Sequence, residues 1–238
     1  MPANYEEIDF CRSSLGDLIL RRRQVAGIPG RDIYEIKLND ELLVSSLLSE
    51  SERELANRSL PEVEGGAFEV LIGGLGLGYT AAAALRDQRV KRVTVVELLP
   101  EVIGWHERGL VPLKTPLNTD SRCQFHQGDF FRLLRDPPAA GLPTPKAGYG
   151  AILVDIDHAP DSWLHLHHRD FYGEAGLEQV AALIAPGGVF SYWSSGRVKE
   201  DFLAVLNGVF SNVLTHEIEV ENPLVHENQV DTIYVARR

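Results

Sequence analysis

The chain has 238 residues, 44% hydrophobic and 24% charged, with a formal net charge of −11. This composition sustains a large core and excludes wholesale disorder, while the negative total repels a phosphate backbone and argues against nucleic acid as a partner. Cys11 and Cys123 lie far apart, without CxxC or Cys/His ligand spacing, so neither a disulfide framework nor structural zinc is expected and a reducing compartment fits.

The first residues, Met1-Pro2-Ala3-Asn4-Tyr5-Glu6-Glu7, carry acids where a signal peptide needs a basic and then an apolar segment. No apolar run approaches membrane-spanning length, so a soluble, cytoplasmic protein with no membrane partner is expected. Residues 5–48 alternate apolar and polar positions in short bursts, with Gly27-Ile28-Pro29-Gly30 and Asn39-Asp40 between them, the pattern of small β-hairpins. Arg21, Arg22 and Arg23 form the one basic run, read as the solvated end of a strand. A polar helix over Ser49 to Ser59 then leads through Pro61 and Gly65-Gly66, which places a boundary between an N-terminal β-hairpin unit with its connecting helix, 1–60, and a second domain, 61–238.

From Phe68 onward, apolar runs alternate with helical stretches, as when parallel strands are joined by crossover helices. Strands are expected at Glu69 to Ile72, Arg92 to Glu97, Cys123 to His126, Tyr149 to Asp155 and Val189 to Trp193. Helices are expected at Thr80 to Arg86, Glu101 to Glu107, Leu177 to Ile184 and Val198 to Phe210, with Pro186-Gly187-Gly188 ending the third. Asp136 to Gly150, dense in Pro, Gly and Ala, reads as a mobile surface loop. Asn212 to Glu219 and Gln229 to Ala236 alternate like two antiparallel strands joined through Asn222-Pro223. The fold class is therefore α/β, a mostly parallel Rossmann-like sheet with an antiparallel C-terminal hairpin.

The main chemical signal is the strand Val70-Leu71-Ile72 running into Gly73-Gly74-Leu75-Gly76-Leu77-Gly78 and an Ala-rich helix. Missing side chains let a ligand approach the backbone, and the helix start offers free amides. The same pattern also suits a tight turn with close helix packing. Glu97 ends the next apolar strand nineteen residues after Gly78, where a carboxylate can accept from both hydroxyls of a ribose. Gly128-Asp129-Phe130 follows the third strand: Asp129 suits an adenine amino group with Phe130 packing on the base, and it equally suits a helix N-cap.

The fourth strand delivers Asp155-Ile156-Asp157-His158-Ala159-Pro160-Asp161 to the carboxyl edge of the sheet, where open α/β sheets bind ligands. Asp155 is the candidate base, and Asp157, His158 and Asp161 are candidate substrate-binding groups that also read as ordinary loop residues. His165-Leu166-His167-His168-Arg169-Asp170 contains imidazoles and a carboxylate but no further ligand at a recognisable spacing, so a lid or polar helix start is expected and metal is not. Trp105, Trp163 and Trp193 read as core or pocket packing.

With these residues in place the chain resembles the spermidine synthase family of aminopropyltransferases, within the class I methyltransferase-like fold. The likeness rests on the N-terminal hairpins, the Gly-rich loop, Val95-Val96-Glu97, Gly128-Asp129-Phe130, the Asp155 loop with Pro160, and Phe171-Tyr172. It implies that Glu97 binds ribose, that Asp129 binds adenine, and that Asp155 deprotonates an acceptor amine. It further implies aminopropyl transfer from decarboxylated S-adenosylmethionine to a polyamine such as putrescine, with methylthioadenosine as product, in a homodimer.

The departures are local. The family's Gly-rich loop has an aspartate where Gly76 stands, a glutamine of the hairpin piece is replaced by Leu43, and the Asp-Ser/Thr-Ser/Thr-Asp-Pro loop is replaced by Asp155-Ile156-Asp157-His158-Ala159-Pro160. Two alternatives stay open. One is methyl transfer from intact S-adenosylmethionine, giving S-adenosylhomocysteine, although Ile72 stands where methyltransferases often place an acid. The other is a non-catalytic nucleoside-binding homologue.

Overall fold

The computed structural model describes residues 5–25, 28, 30–113, 115–135, 137, 141–224 and 227–238. Gly27 and Pro29 of the first expected turn, residues 136 and 138–140 of the expected surface loop, and residues 225–226 after Pro223 lie outside the described set.

Four antiparallel strands open the chain in the order β1 (Tyr5–Ser13), β2 (Gly16–Gln24), β3 (Asp32–Leu38) and β4 (Glu41–Ser45). Asn39 closes the β3–β4 turn with a φ of 53°, a conformation its short polar side chain tolerates. One face of this sheet buries Leu18, Leu20 and Ile36. The arginine run is not a solvated strand end: Arg21 and Arg23 both clamp Glu35, which is only 1% exposed, with Nε to carboxylate distances of 2.7 and 2.9 Å, and Arg22 pairs with Glu6.

After α1 (Glu50–Ser59) come β5 (Phe68–Gly73), α2 (Tyr79–Ala84), β6 (Val90–Glu97), α3 (Pro100–Glu107), β7 (Cys123–Gln127) and α4 (Phe130–Leu133). Then follow β8 (Tyr149–Val154), α5 (Glu174–Leu183), β9 (Ile184–Ser195), α6 (Glu200–Val209), β10 (Asn212–Asn222) and β11 (Glu227–Arg237). The seven strands lie in the order β10-β11-β9-β8-β5-β6-β7, parallel from β9 to β7, with β11 antiparallel to both its neighbours. Strand order reverses between β5 and β8, so their carboxyl ends form the crevice where such sheets hold ligands.

One boundary differs from expectation. Pro186-Gly187-Gly188 does not separate α5 from the next strand but lies inside β9, because the pairing jumps from Tyr149↔Ile184 to Ala151↔Val189. The extra residues bulge out, which accommodates a proline without an N–H and a glycine at φ 75°.

The apolar runs of β5, β6 and β8 are buried on both faces, as parallel strands between helices must be. On one face Val70, Ile72, Val93 and Val95 pack with residues of α1, α2 and α3, and Leu18, Leu20 and Ile36 of the N-terminal sheet join that same core. On the other face Phe130, Phe171, Tyr172, Phe190 and Tyr192 pack with α5 and α6. Each such side chain contributes roughly 1.5–3 kcal/mol of apolar burial. Trp105 on α3, fully buried, ties the small sheet to the large one by donating from Nε1 to Asp9 at 2.7 Å. Among the described residues no helix is long and apolar enough to cross a membrane.

Candidate functional site

The loop between β5 and α2 is built from three left-handed residues, Gly74 (φ 92°), Gly76 (φ 46°) and Gly78 (φ 84°). A Cβ on Gly74 would stand 2.1 Å from the carbonyl oxygen of Asp155, and one on Gly78 would stand 2.6 Å from the His106 ring. The loop is therefore pressed between the tip of β8 and α3, and only bare backbone fits. Gly76 differs: a Cβ there would meet only Val44, at 3.8 Å.

Glu97 ends β6 beside this loop. One carboxylate oxygen accepts from the Leu75 amide at 3.0 Å, the other from the Leu99 amide at 2.8 Å. Burial raises its pKa, opposed by the amides of Leu99 and Leu75. Each oxygen retains a lone pair for a further donor. The Gly128 amide bonds the Glu97 carbonyl at 2.9 Å, which draws the end of β7 to the same edge. Asp129 there caps α4, accepting from the Arg132 amide at 3.2 Å, and its second oxygen meets His167 Nε2 at 2.9 Å.

Asp155 leaves β8 with its amide on the Gly73 carbonyl, 2.9 Å away. Its Oδ2 lies 3.0 Å from Thr80 Oγ1, which lies 3.0 Å from the main-chain carbonyl of Glu52. One hydroxyl proton cannot serve both acceptors fully, whereas a protonated Asp155 donating to Thr80, which donates to Glu52, satisfies the whole chain. Burial pushes the Asp155 carboxyl up to about 6 despite the Thr80 bond, with the charge of Asp231 adding to the rise.

Two expected contacts move out of the site. Asp157 is fully buried, its oxygens taken by the Leu164 amide at 2.7 Å, the Tyr172 hydroxyl at 2.7 Å and His168 Nδ1 at 2.9 Å. β8 ends at Val154, so strand alternation no longer fixes where these side chains point, and Asp157 is spent bracing the loop and the segment before α5. Phe130 is 3% exposed, with its ring against Gly73 and edge-on to Phe131 and Phe171, so it forms the floor under the loop rather than a free stacking surface. His158 is half-buried and holds the Ser195 amide through its carbonyl. Asp161 is exposed and paired with Lys199, 3.1 Å away, just before α6.

The histidine-rich segment closes on Asp129 as described, and His167 Nδ1 also sits 2.5 Å from His165 Nδ1. Ligand-type atoms of Asp129, His167 and His168 lie within 4.8 Å of one another, a grouping that their own hydrogen bonds already account for.

Three residues escaped the sequence reading. His106, 1% exposed, fixes the loop through Nε2 on the Gly76 carbonyl at 2.9 Å, and its Nδ1 is buried without a partner. Burial lowers its pKa, which keeps the ring neutral with the proton on Nε2. Glu52 and Asp231 join Asp155 beneath α1. Asp231 shares the inward parity of Ile233 and Val235 on β11, and that misplaced acid in an apolar row was the available signal.

No known family model matches the chain. Over 116 residues it is 33% identical to polyamine aminopropyltransferase 2 of Streptomyces coelicolor, a stretch covering 48% of this chain and 20% of that protein. Over 151 residues it is 29% identical to the polyamine aminopropyltransferase of Sulfolobus acidocaldarius, covering 60% of this chain and 46% of that one. The chain thus matches less than half the length of these relatives. A spermidine synthase from Thermotoga maritima superposes with a TM-score of 0.70 at 14% identity, covering 97% of this chain and 72% of that one. A spermidine synthase bound to the transition state analogue AdoDATO gives 0.71 at 15% identity, covering 96% and 73%. Human methyltransferase-like protein 13 in complex with SAH gives 0.55 at 20% identity, covering 80% and 81%.

Proposed function

We propose that this chain, a spermidine synthase-like protein of methyltransferase-like fold, is a transferase that moves an aminopropyl group from decarboxylated S-adenosylmethionine to a small polyamine-type amine. The observation that carries the reading is the meeting of Asp155, held by Thr80, with the Gly-rich loop whose Leu75 amide reaches Glu97.

The residues fit such a donor. Gly73, Gly74, Gly76 and Gly78 leave main chain open to a nucleoside, Glu97 has acceptor capacity for ribose hydroxyls, and Asp129 has it for the adenine amino group once His167 moves aside. When bound, the donor supplies a carbon activated by its sulfonium. Asp155 takes the proton shed by the acceptor nitrogen as the N–C bond forms and the C–S bond opens, the electron pair leaving with methylthioadenosine. Its raised pKa suits a base working near neutrality, and alignment of the two reactants supplies most of the rate. Of the expected substrate contacts, His158 and Asp161 remain rim groups. A homodimer in the cytoplasm completes this reading.

The test is incubation with decarboxylated S-adenosylmethionine and putrescine, followed by chromatography for methylthioadenosine and the lengthened polyamine. Amine-dependent release of methylthioadenosine supports the assignment; its absence with a bound nucleoside refutes it. Gly76 favours a second reading, methyl transfer, because no carboxylate stands there to repel that of intact S-adenosylmethionine. Release of S-adenosylhomocysteine from the intact donor would establish it.

A further inference from the structure

The segment Leu166–Tyr172 is a 3-10 helix between β8 and α5, capped by His165, whose Nδ1 accepts from the His167 amide at 3.3 Å. A ring nitrogen that accepts carries its lone pair there. His167 turns Nε2 to Asp129 Oδ2 at 2.9 Å, and a carboxylate only accepts, so Nε2 holds the proton and Nδ1 the lone pair. These hydrogen bonds explain where Asp129 and His167 stand. They leave the lone pairs of His165 Nδ1 and His167 Nδ1 facing each other at 2.5 Å. Such a pair holds only around a shared cation, either a proton or a metal ion.

A third imidazole decides between the two. His168 is 6% exposed, and its Nδ1 lies 2.9 and 3.0 Å from the two oxygens of Asp157. Asp157 is fully buried and anchored by the Leu164 amide and the Tyr172 hydroxyl, each at 2.7 Å. The carboxylate fixes the tautomer, so Nε2 of His168 keeps its lone pair, and packing on Phe131 at 4.0 Å between ring centres holds the ring in place. A carboxylate that orients a histidine through its far nitrogen is the outer support that metal centres use, whereas a proton shared by His165 and His167 needs no third base beside it.

Ligand-type atoms of Asp129, His167 and His168 lie within 4.8 Å of one another. The His165 ring centre is 4.3 Å from that of His167 and 6.1 Å from that of His168. Tetrahedral zinc bonds of about 2.0–2.2 Å set neighbouring ligand atoms about 3.3–3.6 Å apart, which side-chain shifts of about an ångström achieve here. Asp129, brought in from the turn between β7 and α4, is the ligand that the spacing of the histidines along the sequence lacks. Arg132 reaches the same Asp129 oxygen at 3.3 Å, but its side chain is 73% exposed and can swing into solvent.

We propose that Asp129, His165, His167 and His168 form a binding site for a divalent ion of the zinc class, with Asp157 orienting His168. Three imidazoles and one carboxylate favour zinc over magnesium, which takes oxygen ligands in octahedra. The metal site is independent of the transferase reading. Its consequence rests on that reading: an ion on Asp129 occupies the acceptor assigned to the adenine amino group, so metal and nucleoside exclude each other and the ion switches the enzyme off.

The experiment uses the full chain, stripped of metal by dialysis against a chelator and titrated calorimetrically with zinc chloride, with magnesium chloride as the control. The wild type is expected to bind one zinc per chain and to show no heat with magnesium. Asp157→Asn is expected to weaken zinc roughly 10- to 100-fold, and His167→Ala, which removes a ligand itself, by at least as much. His126→Ala, outside the cluster, should stay within about twofold. Absence of zinc binding, or wild-type affinity in both His165→Ala and His167→Ala, overturns the proposal. His165 is exposed and His167 half-buried, so these two variants decide even where Asp157→Asn does not fold. Saturating zinc is then expected to weaken methylthioadenosine at least tenfold in the wild type and to leave its affinity unchanged in His167→Ala. Zinc bound together with undiminished methylthioadenosine supports the metal site and removes Asp129 from adenine recognition. Zinc binding in a chain that takes no methylthioadenosine supports the site and overturns the transferase reading.

Discussion

The Leu75 amide donates to the Glu97 carboxylate at 3.0 Å, across the gap between the ends of β5 and β6. This contact joins the glycine loop to the acid at the next strand tip, so whatever the loop amides hold lies beside that carboxylate. Replacing Glu97 by Gln puts an NH2 opposite the amide of Leu75 or of Leu99, two donors face to face. Methylthioadenosine affinity is expected to fall about 10- to 100-fold, corresponding to roughly 1–3 kcal/mol for a buried polar group left unsatisfied. Calorimetry checks it; unchanged affinity removes Glu97 from ribose recognition.

The Asp155 carboxyl is raised, so the ionised base appears only as pH climbs through about 6. The rate at saturating substrate is expected to rise with pH over that window and then level. Asp155→Asn keeps the Thr80 contact but cannot accept a proton; it should lower kcat by about 100-fold or more with little change in nucleoside affinity. A flat pH profile, or an active Asn variant, would exclude Asp155 as the base.

Stability carries the same sign. A carboxyl whose folded pKa lies above its unfolded value holds its proton longer in the native state, so stability present at low pH is lost as pH rises through the folded value. For Asp155 and Glu52 that window runs from about 4 to about 8. Melting temperature should decline across it, and added diamine should offset the decline. Melts of the Glu52→Gln protein, lacking one of the two acids, should show a shallower slope; an equal slope would place the titration elsewhere.

The two central loop glycines should respond oppositely. Gly74→Ala drives a methyl into the Asp155 carbonyl and should abolish nucleoside binding through displacement of the loop. Gly76→Asp has space beside Val44 and a φ of 46° that aspartate tolerates at a cost of about 1 kcal/mol. It should fold with a melting temperature within a few degrees of wild type and shift donor preference toward the decarboxylated form, because the new carboxylate repels that of the intact donor. Comparative titration with both donors decides; no shift in preference would separate Gly76 from donor selection.

In the N-terminal sheet, Glu35 is buried between Arg21 and Arg23. Glu35→Ala leaves two guanidinium groups without their acceptor. Removing one partner of a buried pair costs about 3–5 kcal/mol, and the lower end applies because both arginines reach solvent. Thermal denaturation should show a loss of about 10 °C. A change of under about 2 °C would mean that water replaces the carboxylate there.

Period and punctuation alone determined the alternating strands and helices, the glycine loop, and the acids at 97, 129 and 155, because a strand tip's chemistry follows its apolar run directly in the chain. Local pattern also misled: Pro186-Gly187-Gly188 reads as a break, and only pairing with β8 reveals a bulge within one strand. Asp157 and Asp155 look equivalent in sequence, and two residues apart they would share a face in a continued strand, yet one braces Tyr172 and His168 while the other faces Thr80, because β8 ends at Val154 and the loop beyond it turns Asp157 the other way. The grouping of Glu52, Asp155 and Asp231 was decided by tertiary structure alone. Their carboxyls come from α1, the residue just after β8, and β11, separated by most of the chain, and the energy of a buried charge depends on which neighbours share its low-dielectric space rather than on where they stand in the sequence.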